Sequence, residues 1–293
     1  MSKNRTGWLV KGTALLLWVM VCSSPAASGQ DTDSLYFVKP AWKKEKVAKG
    51  VFLVNRQFFN KSLFGSNQYI SYVIIKNKKR KNGFNIAAEA KELKTTEAFA
   101  RAAGATAAVN GNFFYVDKGG SEDYVKVNGT VISKNTTPEN GRMLFHQTAG
   151  VLINKGRLQI QKGGTAPGWP DSCRAGSVLA SGPLLLINGK KEALANIAFS
   201  LNRHPRTAVG STAKGKIILL VADGRNTNAA GLNLEELAKI MRWLGCVDAV
   251  NFDGGGSSTL WLKNKGVVNH PSDNKKWDHG GQRKVANILY YKK

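Results

Sequence analysis

The 293-residue chain is predicted to fold as a single α+β domain, a mixed, largely antiparallel β-sheet system with a few packed helices. Three observations predict this. Short β-branched and aromatic runs recur between turn dipeptides. Only two stretches carry clear helical periodicity. No linker interrupts a length that suits one sizeable core.

The elements follow in order. Lys3, Arg5 and Lys11 precede the uncharged apolar run Thr13 to Val21, and Ala27-Ser28-Gly29 offers small residues at a cleavage position. This is the pattern of a secretory signal peptide over 1–29, too short to span a bilayer. The folded domain is then 30–293, and the protein is expected to be exported, either periplasmic or extracellular. A lipid anchor at Cys22 is the weaker alternative, because Val19-Met20-Val21 lacks the small residue that should precede it. No later run is long and apolar enough for a transmembrane helix.

Val51 to Val54 and Tyr69 to Ile75 read as strands. Asn128-Gly129 joins Tyr124–Val127 to Thr130–Ile132 as a two-residue hairpin. Asn154-Lys155-Gly156 joins Val151–Ile153 to Leu158–Ile160, and Asn188-Gly189 ends the strand Leu184–Ile187. Thr165 to Arg174 reads as an irregular loop. Helices are predicted from Thr96 to Ala103 and from Leu234 to Leu244, the second capped by Asn233. Its stripe Leu234, Leu237, Ile240, Met241 and Leu244 is core. A weak echo links the two helices. Each leads through a glycine (Gly104, Gly245) into a short strand containing Ala-Val-Asn and then a polar turn. If the echo is structural, it delivers two polar loops from the same end of a sheet.

Lys and Arg number 43 against 19 acids, a net charge of +24. Loss of 1–29 leaves 264 residues and +21. Such a charge concerns partners and solubility, not fold. Lys43 to Lys46 and Lys76 to Lys81 read as solvated segments near strand ends. The partner implied is an anionic substrate or envelope. Nucleic acid is not implied, for lack of any recognition motif, and the sequence does not fix the oligomeric state. Cys173 and Cys246 are either one disulfide or two separate buried thiols. No cofactor is expected. A bound divalent metal stays open, but no ligand set for it can be named.

Five polar or glycine clusters follow apolar strand-like runs: Asn110-Gly111-Asn112-Phe113-Phe114, Ser181-Gly182-Pro183, His204-Pro205-Arg206-Thr207, Asp223-Gly224-Arg225 and Asp253-Gly254-Gly255-Gly256-Ser257-Ser258. Three consecutive glycines carry a large entropic cost. They make sense where backbone must approach a ligand, or where N–H groups converge on an anion. Asp253 at the mouth of that loop is the leading candidate acid, base or nucleophile. Asp223 begins a common turn dipeptide. Arg206 offers a fork suited to phosphate or carboxylate, and His204 a group that titrates near neutrality. Asn110 and Asn112 are candidates to fix sugar hydroxyls, with Phe113 and Phe114 as stacking or core residues. His270 and His279 lie in a polar late loop, Asn269 to Arg283, either a cover for substrate or an ordinary exposed loop.

Five stretches, AAVNGNFF at 107–114, SGPLLL at 181–186, RHPRTAVG at 203–210, LLVADGR at 219–225 and LGCVDAVNFDGGGSSTLWL at 244–262, occur in this order. In that order and spacing the chain resembles the phosphodiester glycosidases, relatives of N-acetylglucosamine-1-phosphodiester alpha-N-acetylglucosaminidase. The resemblance is strongest over 87–291. That enzyme's cysteine-rich and membrane-spanning regions have no counterpart here, so its lysosomal substrate is not carried over. The resemblance implies hydrolysis of a sugar-1-phosphodiester at the glycosidic carbon. Asp253 or Asp223 would then act as nucleophile or as base for water. His204, Arg206 and the N–H groups of Gly254, Gly255 and Gly256 would meet the phosphate, with Ser257 beside them. Arg225 would either touch phosphate or pair with an Asp. The alternatives are a non-catalytic glycan- or envelope-binding module, an exopolysaccharide glycosidase needing no phosphate, and a metal-dependent phosphodiesterase.

Overall fold

The computed structural model describes residues 32–39, 41–78, 83–139 and 141–293. The expected signal segment 1–29 and Lys79 to Lys81 of the second basic run lie outside the described residues.

Among the described residues, three antiparallel sheets and four α-helices make up the α+β domain. The largest sheet has eight strands, in spatial order Lys43–Ala48, Val51–Leu63, Ser66–Lys76, Lys216–Ala222, Arg206–Thr212, Cys246–Asn251, Leu184–Ile187 and Lys190–Lys191. A second sheet runs Thr130–Ser133, Val125–Val127, Ser177–Ser181, Ala149–Asn154, Arg157–Lys162. The third runs Gly266–Val267, Leu260–Leu262, Ala107–Asn110, Asn287–Tyr291, Phe84–Ala88. The three predicted turns each connect antiparallel neighbours. Lys43 to Lys46 is strand, not a segment beside one. It forms an exposed edge of the large sheet, where lysines oppose edge-to-edge pairing.

All three sheets turn one face to a common core. Val73, Leu219, Val221, Val209 and Val250 of the large sheet meet Val151 and Leu179 of the second and Val109, Leu260 and Leu289 of the third. The run Ile217 to Ala222 is apolar at every position because both faces are covered. Leu219 and Val221 point to the common core, while Ile218, Leu220 and Ala222 face a second cluster. There the helices Thr32–Val38 and Leu234–Trp243 supply Phe37, Leu234, Leu237, Ile240 and Met241. The longer helix starts where Asn233 accepts from the Glu236 N–H and the Glu236 carboxylate accepts from the Asn233 N–H, a reciprocal cap. Helix Thr96–Ala102 covers the outer face of the third sheet. The other two helices, Thr32–Val38 and Ala198–Leu201, were not predicted, since neither shows a clear apolar stripe in sequence. Cys173 and Cys246 are separate buried thiols in different clusters.

The two strands of the Ala-Val-Asn echo lie in different sheets, which corrects the expectation of one sheet. Their ends nevertheless converge. Asp253 N–H donates to the Gly111 carbonyl at 3.1 Å, and Asn110 Nδ2 donates to the Asp253 carbonyl at 2.7 Å.

Candidate active site

Strand register brings the sequence motifs together. Arg206 pairs with Ala222 across one ladder and Ala208 with Asn251 across the other. The loops 203–206, 223–231 and 252–258 therefore leave the same end of the large sheet. Glycine lets them touch. A Cβ on Gly224 would meet the Gly231 Cα and Pro205 N, both at 2.8 Å, and one on Gly254 would meet the Pro205 carbonyl oxygen at 2.6 Å. Gly255 has φ +62°, and the Arg225 guanidinium lies over it. Gly256 lies against the Asp273–Arg283 pair. The triple glycine thus serves three different close approaches. Gly254→Ala should therefore push the loop off Pro205, destabilise the protein by roughly 1–3 kcal/mol and displace Asp253. Urea unfolding together with turnover checks this, and a variant with wild-type stability would contradict the close approach.

A cavity of about 190 Å³ opens here, lined by Phe199, His204, Arg206, Arg225, Asp253, Gly254, Gly255 and Arg283. Four basic side chains surround one carboxylate. Burial pushes the Asp253 carboxyl up to about 6, although the Ser257 hydroxyl, the Gly254 N–H and the charges of Arg283 and His146 pull the other way. Burial also lowers His204, with Arg206 and Arg225 adding to the effect. Arg206 is brought down to about 10 by burial and by Arg225, against Asp253 and Glu236.

Each predicted residue has a definite place. Asp253, His204, Arg206 and Arg225 meet at the cavity. Arg206, however, is 1 % exposed. Its Nε donates to the Leu232 carbonyl and its Nη2 to the carbonyls of Phe199 and Asn202. It braces the wall as much as it charges the cavity. Two of the three glycine N–H groups do not converge on a ligand site. Gly254 donates to Asp253 Oδ1 at 2.8 Å, and Gly255 donates to the Pro205 carbonyl at 2.9 Å. Ser257 is fully buried beneath the loop.

Asn110 and Asn112 are placed as cross-links between elements, with no side-chain atom free for sugar hydroxyls. Asn110 Oδ1 accepts from Thr207 Oγ1 and from the Thr259 N–H, while its Nδ2 holds the Asp253 carbonyl. Asn112 binds the Ala180 carbonyl and exchanges bonds with Asn287. Asp223 lies outside the cavity lining. Its Oδ1 accepts from Asn269 Nδ2, and its Oδ2 accepts from the His270 N–H, with His270 Nδ1 at 2.9 Å. His270 stacks on Trp277 at 3.9 Å, and His279 stacks on His270 in turn. The late loop is therefore an ordered strap tied to Asp223. Phe114 is core, and Phe113 packs on His146.

Sequence reasoning missed Arg283, Phe199 and a buried pair, Asp123 and His146. His146 Nδ1 lies 2.9 Å from Asp123 Oδ1 and 3.0 Å from Oδ2. Burial raises Asp123 to about 6, with His146 opposing. Burial would lower His146, but its bond to Asp123 and the charges of Asp123, Glu122 and Asp253 outweigh that and raise it. His146 and Asp253 thus feel each other's charge. Nothing in the sequence around either residue signals the pair, because its members are 23 positions apart. Among the described residues no group of three or more His, Cys, Asp or Glu is placed to hold a metal ion.

A family model described as phosphodiester glycosidase matches residues 103–292. The mouse N-acetylglucosamine-1-phosphodiester alpha-N-acetylglucosaminidase is 48% identical over 68 residues, which is 23% of this chain and 13% of that protein. The human enzyme is 44% identical over 68 residues, again 13% of its length. The match therefore spans a small part of these curated relatives. Among solved structures, the zebrafish catalytic domain of the same enzyme, auto-inhibited by its pro-peptide, superposes with a TM-score of 0.64. It has 19% identity over 87% of this chain and 85% of that one. A hypothetical protein from Synechocystis gives 0.61 at 17% identity over 86% of this chain and 63% of that one.

Proposed function

The chain belongs to the phosphodiester glycosidase family, and we propose that it is an exported hydrolase that cleaves the glycosidic C–O bond of a sugar-1-phosphodiester or a related anionic glycan. The observation that carries this reading is the single carboxylate, Asp253, in a cavity whose other charged or titratable lining residues are His204, Arg206, Arg225 and Arg283. Basic groups around one acid suit an anion that becomes more charged as it leaves.

The chemistry fits those parts. The C–O bond breaks and its electron pair departs with a phosphate monoester, whose second pKa is about 6. That group leaves more readily than a sugar alkoxide, so strong general-acid help is less needed than in ordinary glycosidases. Positive side chains stabilise the departing charge by preorganised electrostatics. Asp253 supplies negative charge to the oxocarbenium-like centre, as nucleophile or as base for water. Water finally adds hydroxide to the sugar, and its other proton accompanies the phosphate. Arg225 is exposed, and its guanidinium lies over Gly255, which makes it the most accessible phosphate contact.

Hydrolysis of a sugar-1-phosphodiester in ¹⁸O-water is the test. Label in the released sugar is expected. Label in the phosphate would mean P–O cleavage and would overturn the reading. Binding without turnover across a panel of such esters would favour a glycan-binding module instead.

A further inference from the structure

We propose that the face formed by helix Thr32–Val38 and the hairpin strand Val51–Leu63 is a docking surface for an anionic phospholipid bilayer. This inference stands apart from the glycosidase reading and uses none of its residues.

Eight large apolar side chains stand exposed among the described residues, and four of them belong to this face: Leu35 at 42 %, Tyr36 at 44 %, Val38 at 57 % and Phe59 at 61 %. The other four, Val116, Val131, Ile197 and Leu201, come from other parts of the chain. Isolated exposed apolar residues are ordinary, but several on one face are not. Nor is the helix a loose tail. Phe37 is 2 % exposed and packs against Trp42, Phe58 and Trp243. Trp42 Nε1 donates to the Phe37 carbonyl at 2.8 Å, and Arg56 Nη1 donates to the Tyr36 carbonyl at 2.8 Å. One side of the helix is fastened to the core, so Leu35, Tyr36 and Val38 are held outward.

The surrounding charge selects the occupant. Tyr36 and Phe59 line one open depression together with Arg56 and Lys61. Lys39 Nζ lies 4.8 Å from the Tyr36 ring centroid. The carboxylate in this lining, Asp33, accepts from the Phe64 N–H. Apolar and aromatic side chains ringed by Lys and Arg are the composition of an interfacial anchor. The rings enter the headgroup boundary while the cations meet anionic lipid. A second basic copy of this chain, at a net charge of +24, would be repelled from such a face.

The test uses vesicles of phosphatidylcholine alone and of phosphatidylcholine mixed with phosphatidylglycerol. Co-sedimentation of the wild-type chain is compared with that of the triple variant Leu35→Ser, Val38→Ser, Phe59→Ser. The variant keeps every charge and loses mainly exposed apolar area, so it should stay folded with a Tm lowered by no more than a few degrees. Wild type should prefer the anionic vesicles, and the variant should bind them at least ~10-fold more weakly, the effect of removing buried apolar area from an interfacial site. Equal binding by both proteins would mean adsorption through the general basic surface and would overturn the proposal. So would a wild-type dimer that the variant abolishes with lipid binding intact, which would identify the face as a contact between copies.

Discussion

Asp253→Asn is expected to abolish hydrolysis and, above pH 6, to make the protein more stable. Both effects have one cause. Burial raises the carboxyl to about 6 from an ordinary 3.8, so the folded protein holds an ion that its surroundings disfavour. Below 3.8 the folded and unfolded chains are both protonated and no penalty exists. Between 3.8 and 6 the unfolded chain ionises first, and stability falls as pH rises. Above 6 the penalty is complete, on the order of 2–3 kcal/mol. Asparagine keeps the shape, and its side-chain oxygen can still accept from the Gly254 N–H, but it carries no charge. Its Tm should exceed that of wild type by several degrees at pH 8, and the difference should vanish near pH 4. Turnover of a sugar-1-phosphodiester should drop at least ~1,000-fold, the scale set by losing a group that acts only in the transition state. In the wild type, kcat/KM should rise with pH through about 6, because the ionised form is the active one. A variant with full activity would remove Asp253 from the mechanism. A variant no more stable than wild type at pH 8 would show that the buried carboxylate is compensated elsewhere.

The hairpin turns and the two predicted helices were legible because their signals are local. Asn128-Gly129 and Asn188-Gly189 specify turns by their own backbone preferences, and Asn233 with Glu236 specifies a helix start. The close-packed loop beside Asp253 was legible for the same reason, since a triple glycine is informative wherever it falls. What stayed hidden depends on register between distant strands. Arg206 and Ala222 pair across a ladder, which puts the His204 and Arg225 loops side by side. Arg283 reaches the cavity only because the late loop folds back, with its N–H donating to the Gly256 carbonyl. Asn110 and Asn112 looked like ligand groups because polar residues after a strand often are. Their burial makes them internal connectors instead, since buried polar atoms must find partners. The same reasoning separates the two Asp-Gly turns, which are alike in sequence. One carboxylate opens on a cavity and the other is saturated with donors.

That contrast leads to the second large effect. Asp223→Asn should destabilise the protein by about 2–4 kcal/mol, because charge-assisted bonds to a buried carboxylate are each worth roughly 1.5–3 kcal/mol. Asp223 is 1 % exposed and accepts from Asn269 Nδ2 and the His270 N–H, with His270 Nδ1 also in contact. An asparagine amide would turn its own N–H toward some of these donors. The strap 269–283 would then loosen. Its Lys275 and Lys276 are exposed, so trypsin should cut the variant there at concentrations that leave wild type whole. Arg283 hangs on the same strap, bonded to Asp273 and to Gly256. Loosening should therefore raise KM for phosphodiester substrates more than it lowers kcat, since a cation that meets phosphate in both ground and transition states contributes mainly to binding. A catalytic Asp223 predicts the same loosening and, in addition, a loss of kcat by ~1,000-fold or more. The size of the kcat loss relative to the rise in KM therefore decides whether the second Asp-Gly turn performs chemistry or holds the loop that brings Arg283 to it, with stability and proteolysis reporting the loosening itself.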